Sequence, residues 1–127
     1  MKRLGLIGAG LASVLILIQA AFPPQAPGHA FPVRSNPRVG STVTSPPDKL
    51  TIWFDSEIEA AFSTIAVYNA AKQRVDNNHV RVNSSDATVL EVDLAPLPPG
   101  IYLVSWKVLA KDTHVTEGNF SFTVAGQ

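Results

Sequence analysis

Cysteine is absent from the 127-residue chain. That excludes a disulfide framework, a thiolate metal site, a cysteine nucleophile and a lipidated cysteine behind a leader, so without a bound metal the fold must be held by packing alone. Methionine occurs once, as Met1, and a processed chain therefore has no thioether for a soft Cu(I) ion. An excess of one charge is missing too. Ten Lys and Arg balance ten Asp and Glu, which leaves neither the basic footprint of a nucleic-acid binder nor a polybasic membrane patch. Internal repeats, low-complexity tracts and interdomain linkers are also lacking.

What is present begins with a leader. Lys2 and Arg3 precede an apolar run from Leu4 to Ile18, and Ala26-Pro27-Gly28 sets small residues one and three positions before His29. This is the pattern of a secretory signal peptide cut before His29. Gly28-His29-Ala30 offers small residues at the same two places and would move the cut to Phe31, discarding the histidine. An uncleaved anchor is a further reading, because the apolar stretch reaching Ala21 approaches the ~20 residues of a membrane span. Pro23, Pro24 and Pro27 favour an extended approach to a peptidase instead. The division expected is a signal peptide over residues 1–28 and one domain over 29–127, in a periplasmic or otherwise extracytoplasmic compartment. Removing 28 of the 127 residues leaves 99, enough for a single core. Without Lys2 and Arg3, eight basic residues face ten acidic ones, a net charge of about −2.

Beyond the leader the chain reads as short alternating runs broken by Pro, Gly, Asn and Ser, with no helical period of useful length. Lys49 to Asp55 puts Leu50, Ile52 and Phe54 on one face and Thr51, Trp53 and Asp55 on the other. Thr64 to Tyr68 is a second strand, and Thr88 to Leu94 a third with Leu90, Val92 and Leu94 inward. Pro96 to Gly100 turns into the strongest run, where Tyr102, Val104, Trp106 and Val108 share a face. Gly118 to Val124 buries Phe120, Phe122 and Val124. Adding the stretch after His29 and a small strand near Arg74 or Val80 gives about seven strands, the number expected for an all-β, immunoglobulin-like Greek-key β-sandwich. Ala60 to Phe62 suits a short helical turn, and Ala70 to Ser85 an exposed loop with one edge strand. Trp53 and Trp106 read as packing residues, and Glu91 with Asp93 as an ordinary solvated face.

Few residues could carry chemistry. A chain starting at His29 would present a free α-amine beside an imidazole, a ready chelate for a divalent ion, and the amine's pKa of about 8 makes its deprotonation by a metal cheap near neutral pH. Asp112 and His114 stand two apart in the loop after the Tyr102 strand, so in an extended segment their side chains point the same way. An amine, two imidazoles and a carboxylate favour Cu(II) among divalent first-row ions, with zinc an alternative donor match. On spacing alone an Asp-x-His loop is more often a solvated turn. His79 is a surface histidine, since one imidazole cannot hold copper. Ser, His and Asp are all present, but no nucleophile elbow surrounds them.

The order of the motifs adds to this. His29 is followed in register by Pro37 and Gly40. Pro47, the Leu50–Phe54 strand and Phe62-Ser63 come next. Pro99-Gly100-Ile101-Tyr102-Leu103-Val104-Ser105-Trp106 leads to Asp112-Thr113-His114 and then Phe120-Ser121-Phe122-Thr123-Val124. Over residues 29–127 the chain resembles the CopC family of periplasmic copper-resistance proteins. The resemblance implies an extracytoplasmic carrier or buffer in copper resistance or homeostasis, not an enzyme. It implies one Cu(II) held by His29, Asp112 and His114, and processing before His29. Copper is the expected partner, an inner-membrane copper transporter is a candidate one, and a monomer is expected. Two departures stand out. Family members often carry Ser-Glu directly after the strand-ending Phe, where this chain has Asp55-Ser56-Glu57, leaving open which acid lies near the copper. Some also have a methionine-rich loop near Ala70 to Val80, and here that loop has no Met. Two rivals come from other classes: a histidine-brace copper oxidant, and a metal-free immunoglobulin-like interaction module.

Overall fold

The computed structural model describes Phe22 and residues 30–126. The expected leader and His29 therefore fall outside the described residues, apart from Phe22. Among the described residues there are eight strands, β1 (Pro32–Asn36), β2 (Thr42–Val43), β3 (Lys49–Phe54), β4 (Thr64–Tyr68), β5 (Arg81–Asn83), β6 (Asp86–Asp93), β7 (Gly100–Leu109) and β8 (Val115–Val124), with one 3-10 turn at Ala60–Phe62. They form two four-stranded sheets in the orders β1-β3-β6-β5 and β2-β8-β7-β4. All neighbours are antiparallel except β2 and β8, which run parallel. The all-β sandwich expected from the alternation is the fold observed.

Period-2 patterning explains the layers. Leu50, Ile52 and Phe54 of β3 and Leu90 and Val92 of β6 face inward from one sheet. Ile65, Val67, Tyr102, Val104, Trp106, Val108, Phe120, Phe122 and Val124 face them from the other. Rings lock the middle: Phe54 meets Trp106 edge-on at 5.6 Å, and Tyr102 stacks on Phe122 at 5.5 Å, geometries that add to simple area burial. The Tyr102 hydroxyl donates to the Pro98 carbonyl four residues upstream. This is the tyrosine corner of immunoglobulin-like sandwiches, and burial pushes the phenol's pKa up.

Several expectations need correcting. The last strand starts at Val115, not near Gly118. Gly118 sits inside it because a Cβ there would lie 2.8 Å from Cζ2 of Trp106, its cross-strand neighbour. Trp53 is not a core residue. It lies half-buried on the outer face of its sheet under the Arg34 guanidinium, 3.9 Å from its ring centroid, which suits a cation over an indole. Glu91 is no ordinary solvated residue either. It is 7 % exposed, bonded to Arg81 at 3.1 Å and Asn83 at 3.0 Å, with Lys49 at 3.6 Å. Neighbouring strands supply these partners, which period-2 reading within one strand does not see.

The irregular stretch after β4 closes onto that strand's free edge. Asp76, its carboxylate fully buried, accepts from the Val67 N–H at 2.8 Å, from Arg74 Nε at 2.9 Å and from the Asn78 N–H at 2.8 Å. Covering an edge strand in this way blocks intermolecular pairing.

Candidate metal centre

The β7–β8 hairpin pairs residue for residue from Gly100↔Val124 to Leu109↔Val115, and its tip carries Asp112 and His114. The tip is a tight turn and not the extended segment expected. The Ala110 N–H donates to the His114 carbonyl at 2.9 Å, and the Thr113 N–H to the Ala110 carbonyl at 2.9 Å. The His114 N–H donates to Asp112 Oδ1 at 3.1 Å. Thr113 takes φ 78°, in the left-handed region that costs a β-branched residue about 1–3 kcal/mol. This turn, and not strand alternation, brings the pair together, with His114 Nδ1 3.1 Å from Asp112 Oδ2. Both side chains remain open to solvent, at 58 % and 41 % exposure respectively.

The separation suits two uses. With a proton on Nδ1 it is a hydrogen bond. With metal bonds of about 2.0–2.1 Å, it is close to the edge spanned by two ligands at roughly a right angle, so a divalent ion could replace the proton with little movement. Among the described residues, no group of three or more His, Cys, Asp or Glu gathers at one point. The pair therefore needs a further donor, and the third residue expected, His29, lies outside the described residues.

The chain directly after His29 is tied to this end of the sandwich. Ala30 is fully buried, and its carbonyl accepts from Thr116 Oγ1, two residues beyond His114. Phe31 exchanges two bonds with Asp55: its N–H donates to Oδ1 at 2.9 Å, and its carbonyl accepts from the Asp55 N–H at 3.0 Å. The Ser56 hydroxyl adds a bond to Asp55 Oδ1 at 3.3 Å. The same segment continues along the hairpin tip. The Lys111 N–H donates to the Glu57 carbonyl at 3.0 Å, Ile58 bridges to Ala110, and the Glu59 N–H donates to the Leu109 carbonyl at 2.9 Å. Residues 55–59 thus clamp the start of the domain on one side and the hairpin tip on the other.

The two acids left open by sequence separate cleanly. Asp55 holds the Phe31 backbone, whereas Glu57 pairs with the Lys111 ammonium at 3.4 Å. His79 joins neither; its N–H caps Asn77 Oδ1 at 3.1 Å in the exposed loop after β4. Thr116 is the residue that sequence reading missed. Carrying the alternation of Val124, Phe122 and Phe120 back through Gly118 reaches Thr116, a hydroxyl on an inward face and 7 % exposed.

The CopC domain family matches residues 32–125. The copper transport protein CutJ of Bacillus subtilis is 29% identical over 112 residues, which cover 87% of this chain but 21% of CutJ. The chain thus spans about a fifth of that relative's length. Protein YobA of Escherichia coli is 29% identical over 113 residues, covering 88% of this chain and 91% of YobA. Among solved structures, CopC from Methylosinus trichosporium OB3b superposes with a TM-score of 0.72 at 28% identity, covering 76% of this chain and 94% of that one. From a match that takes in both sheets, the Asp112–His114 tip and the Asp55–Glu59 clamp, it follows that this chain belongs to the CopC family.

Proposed function

We propose that this protein is an extracytoplasmic Cu(II)-binding protein, a carrier or buffer in copper resistance or homeostasis, which holds one ion through His29, Asp112 and His114. The observation that carries the reading is the docking of Ala30 beside Thr116. His29 directly precedes Ala30 in the sequence, and Ala30 docks at the end of the sandwich that bears Asp112 and His114. Cleavage before His29 would add a free amine to its imidazole. Two imidazoles, an amine and a carboxylate suit the tetragonal preference of Cu(II).

A binding role, not an enzymatic one, fits this donor set, because the anionic Asp112 favours Cu(II) over the reduced ion that an oxidant must reach. The names of the relatives, a copper transport protein among them, support copper as cargo. The match to a copper transport protein supports a copper transporter as the partner. The leader pattern over residues 1–28 supports export. Mass spectrometry of the secreted protein with and without Cu(II) tests the proposal. A chain starting at His29 that gains one copper is expected; an N-terminus at Phe31, or no copper on a chain starting at His29, overturns it.

A further inference from the structure

Lys111 sets a positive charge directly before the carboxylate proposed to receive a doubly charged ion. In a flexible loop its ammonium would be free to neutralise Asp112 and to repel the incoming metal. The structure gives it a different partner. Glu57 Oε1 lies 3.4 Å from Lys111 Nζ, and the carbonyl of the same Glu57 accepts the Lys111 N–H at 3.0 Å. Glu57 is itself placed by the ladder beside it, where Ile58 bridges to Ala110 and the Glu59 N–H reaches the Leu109 carbonyl. Both side chains are more than half exposed, so the pair contributes little to folding. Its charges nevertheless act on any ion held at the hairpin tip, within the range over which unit charges are felt in dilute salt.

We infer that Glu57 is a positioning residue for the metal loop: it engages Lys111 by backbone and side chain, keeps that cation off Asp112, and cancels its repulsion of a divalent ion. The inference rests on the proposed Cu(II) site and deepens it. The two ideas fail separately. If the unaltered protein, processed to His29, takes up no stoichiometric Cu(II), the site itself is wrong; if it binds and Glu57 is irrelevant, only the inference falls.

The experiment is Cu(II) titration against a competing chromophoric chelator in about 20 mM and about 500 mM salt. The chains are the processed wild type, Glu57→Gln, Lys111→Gln and the double variant, with thermal melts to check that each is folded. In low salt Glu57→Gln is expected to raise the Kd about three- to tenfold, Lys111→Gln to lower it severalfold, and the double variant to return near wild type. High salt should shrink all of these differences, as the Debye length falls to roughly 4 Å. A merely structural clamp predicts the opposite sign for lysine: both single variants, and the double, would weaken binding alike. That pattern, or a Glu57→Gln Kd within twofold of wild type in low salt, overturns the inference.

Discussion

Thr116 and Ala30, 86 residues apart in sequence, are joined by a hydrogen bond from the threonine hydroxyl to the alanine carbonyl, and both are buried. The bond links the first described residue of the domain to the strand that leaves the Asp112–His114 turn. Thr116→Val keeps the shape, removes the donor and leaves a buried carbonyl unsatisfied, at a cost of about 1–3 kcal/mol. Chemical denaturation should report that loss. Cu(II) affinity should fall by more than about tenfold as the docked end loosens. Unchanged affinity in the folded variant would mean that Ala30 docking plays no part in the site.

His114→Ala and His79→Ala should part company. The first removes a donor from the 3.1 Å pair with Asp112 and should abolish stoichiometric Cu(II) uptake with little change in melting temperature, since the side chain is more than half exposed. The second should leave both untouched. Electron paramagnetic resonance of each variant with one equivalent of Cu(II) reads the nitrogen donors directly. Loss of the wild-type signal in His79→Ala would contradict the assignment.

Gly118→Ala should destabilise the fold by about 1–3 kcal/mol through overpacking. The new Cβ would meet the Trp106 indole, at 2.8 Å from Cζ2 and 3.1 Å from Cε2. Neither strand nor ring can retreat easily in the middle of a paired hairpin. Urea denaturation followed by tryptophan fluorescence measures the effect, and a stability equal to wild type would show that the ring has room to move.

Acid should unfold the protein partly through Asp76. Burial alone would raise this carboxyl's pKa, but the bonds from Arg74 and from the Val67 and Asn78 N–H groups outweigh it and hold it below the usual carboxylate range. Glu91 is lowered as well, chiefly by its bond from Asn83. A group whose folded pKa is depressed adds stability above its unfolded pKa, near 4, and loses that contribution as pH falls through the lower folded value. Stability should therefore drop as pH falls below about 4, and Asp76→Asn should flatten that drop while lowering stability at neutral pH. An equally steep acid limb in the variant would assign the loss to other carboxylates.

Much of the fold was legible before any coordinates, for a simple reason. The core residues Leu50, Ile52 and Phe54 of β3, Ile65 and Val67 of β4, Leu90 and Val92 of β6, Tyr102 to Val108 of β7 and Phe120 to Val124 of β8 recur at every second position, and period-2 recurrence of apolar side chains is the condition for a sheet that buries one face. Asp112 and His114 were singled out by the resemblance to the CopC family, because on spacing alone an Asp-x-His loop is more often a solvated turn. Glu91 misled because its partners Arg81 and Asn83 arrive from β5, and Trp53 because Arg34 of β1 covers it. Both are cross-strand facts.

Sequence by itself determined the element types, the inward face of most strands, the absence of any sulfur ligand in a processed chain and the candidates for the metal donors. Only tertiary structure decided how Asp112 and His114 are held. Thr113's left-handed turn, and not strand pleating, closes Asp112 onto His114. Thr116 and Asp55 fasten Ala30 and Phe31, and Glu57 takes up the charge of Lys111. Local alternation reflects one strand's choice between core and water, which its own residues reveal. A hydrogen bond between residues 30 and 116 depends on two sheets folding together, and no window of sequence contains both.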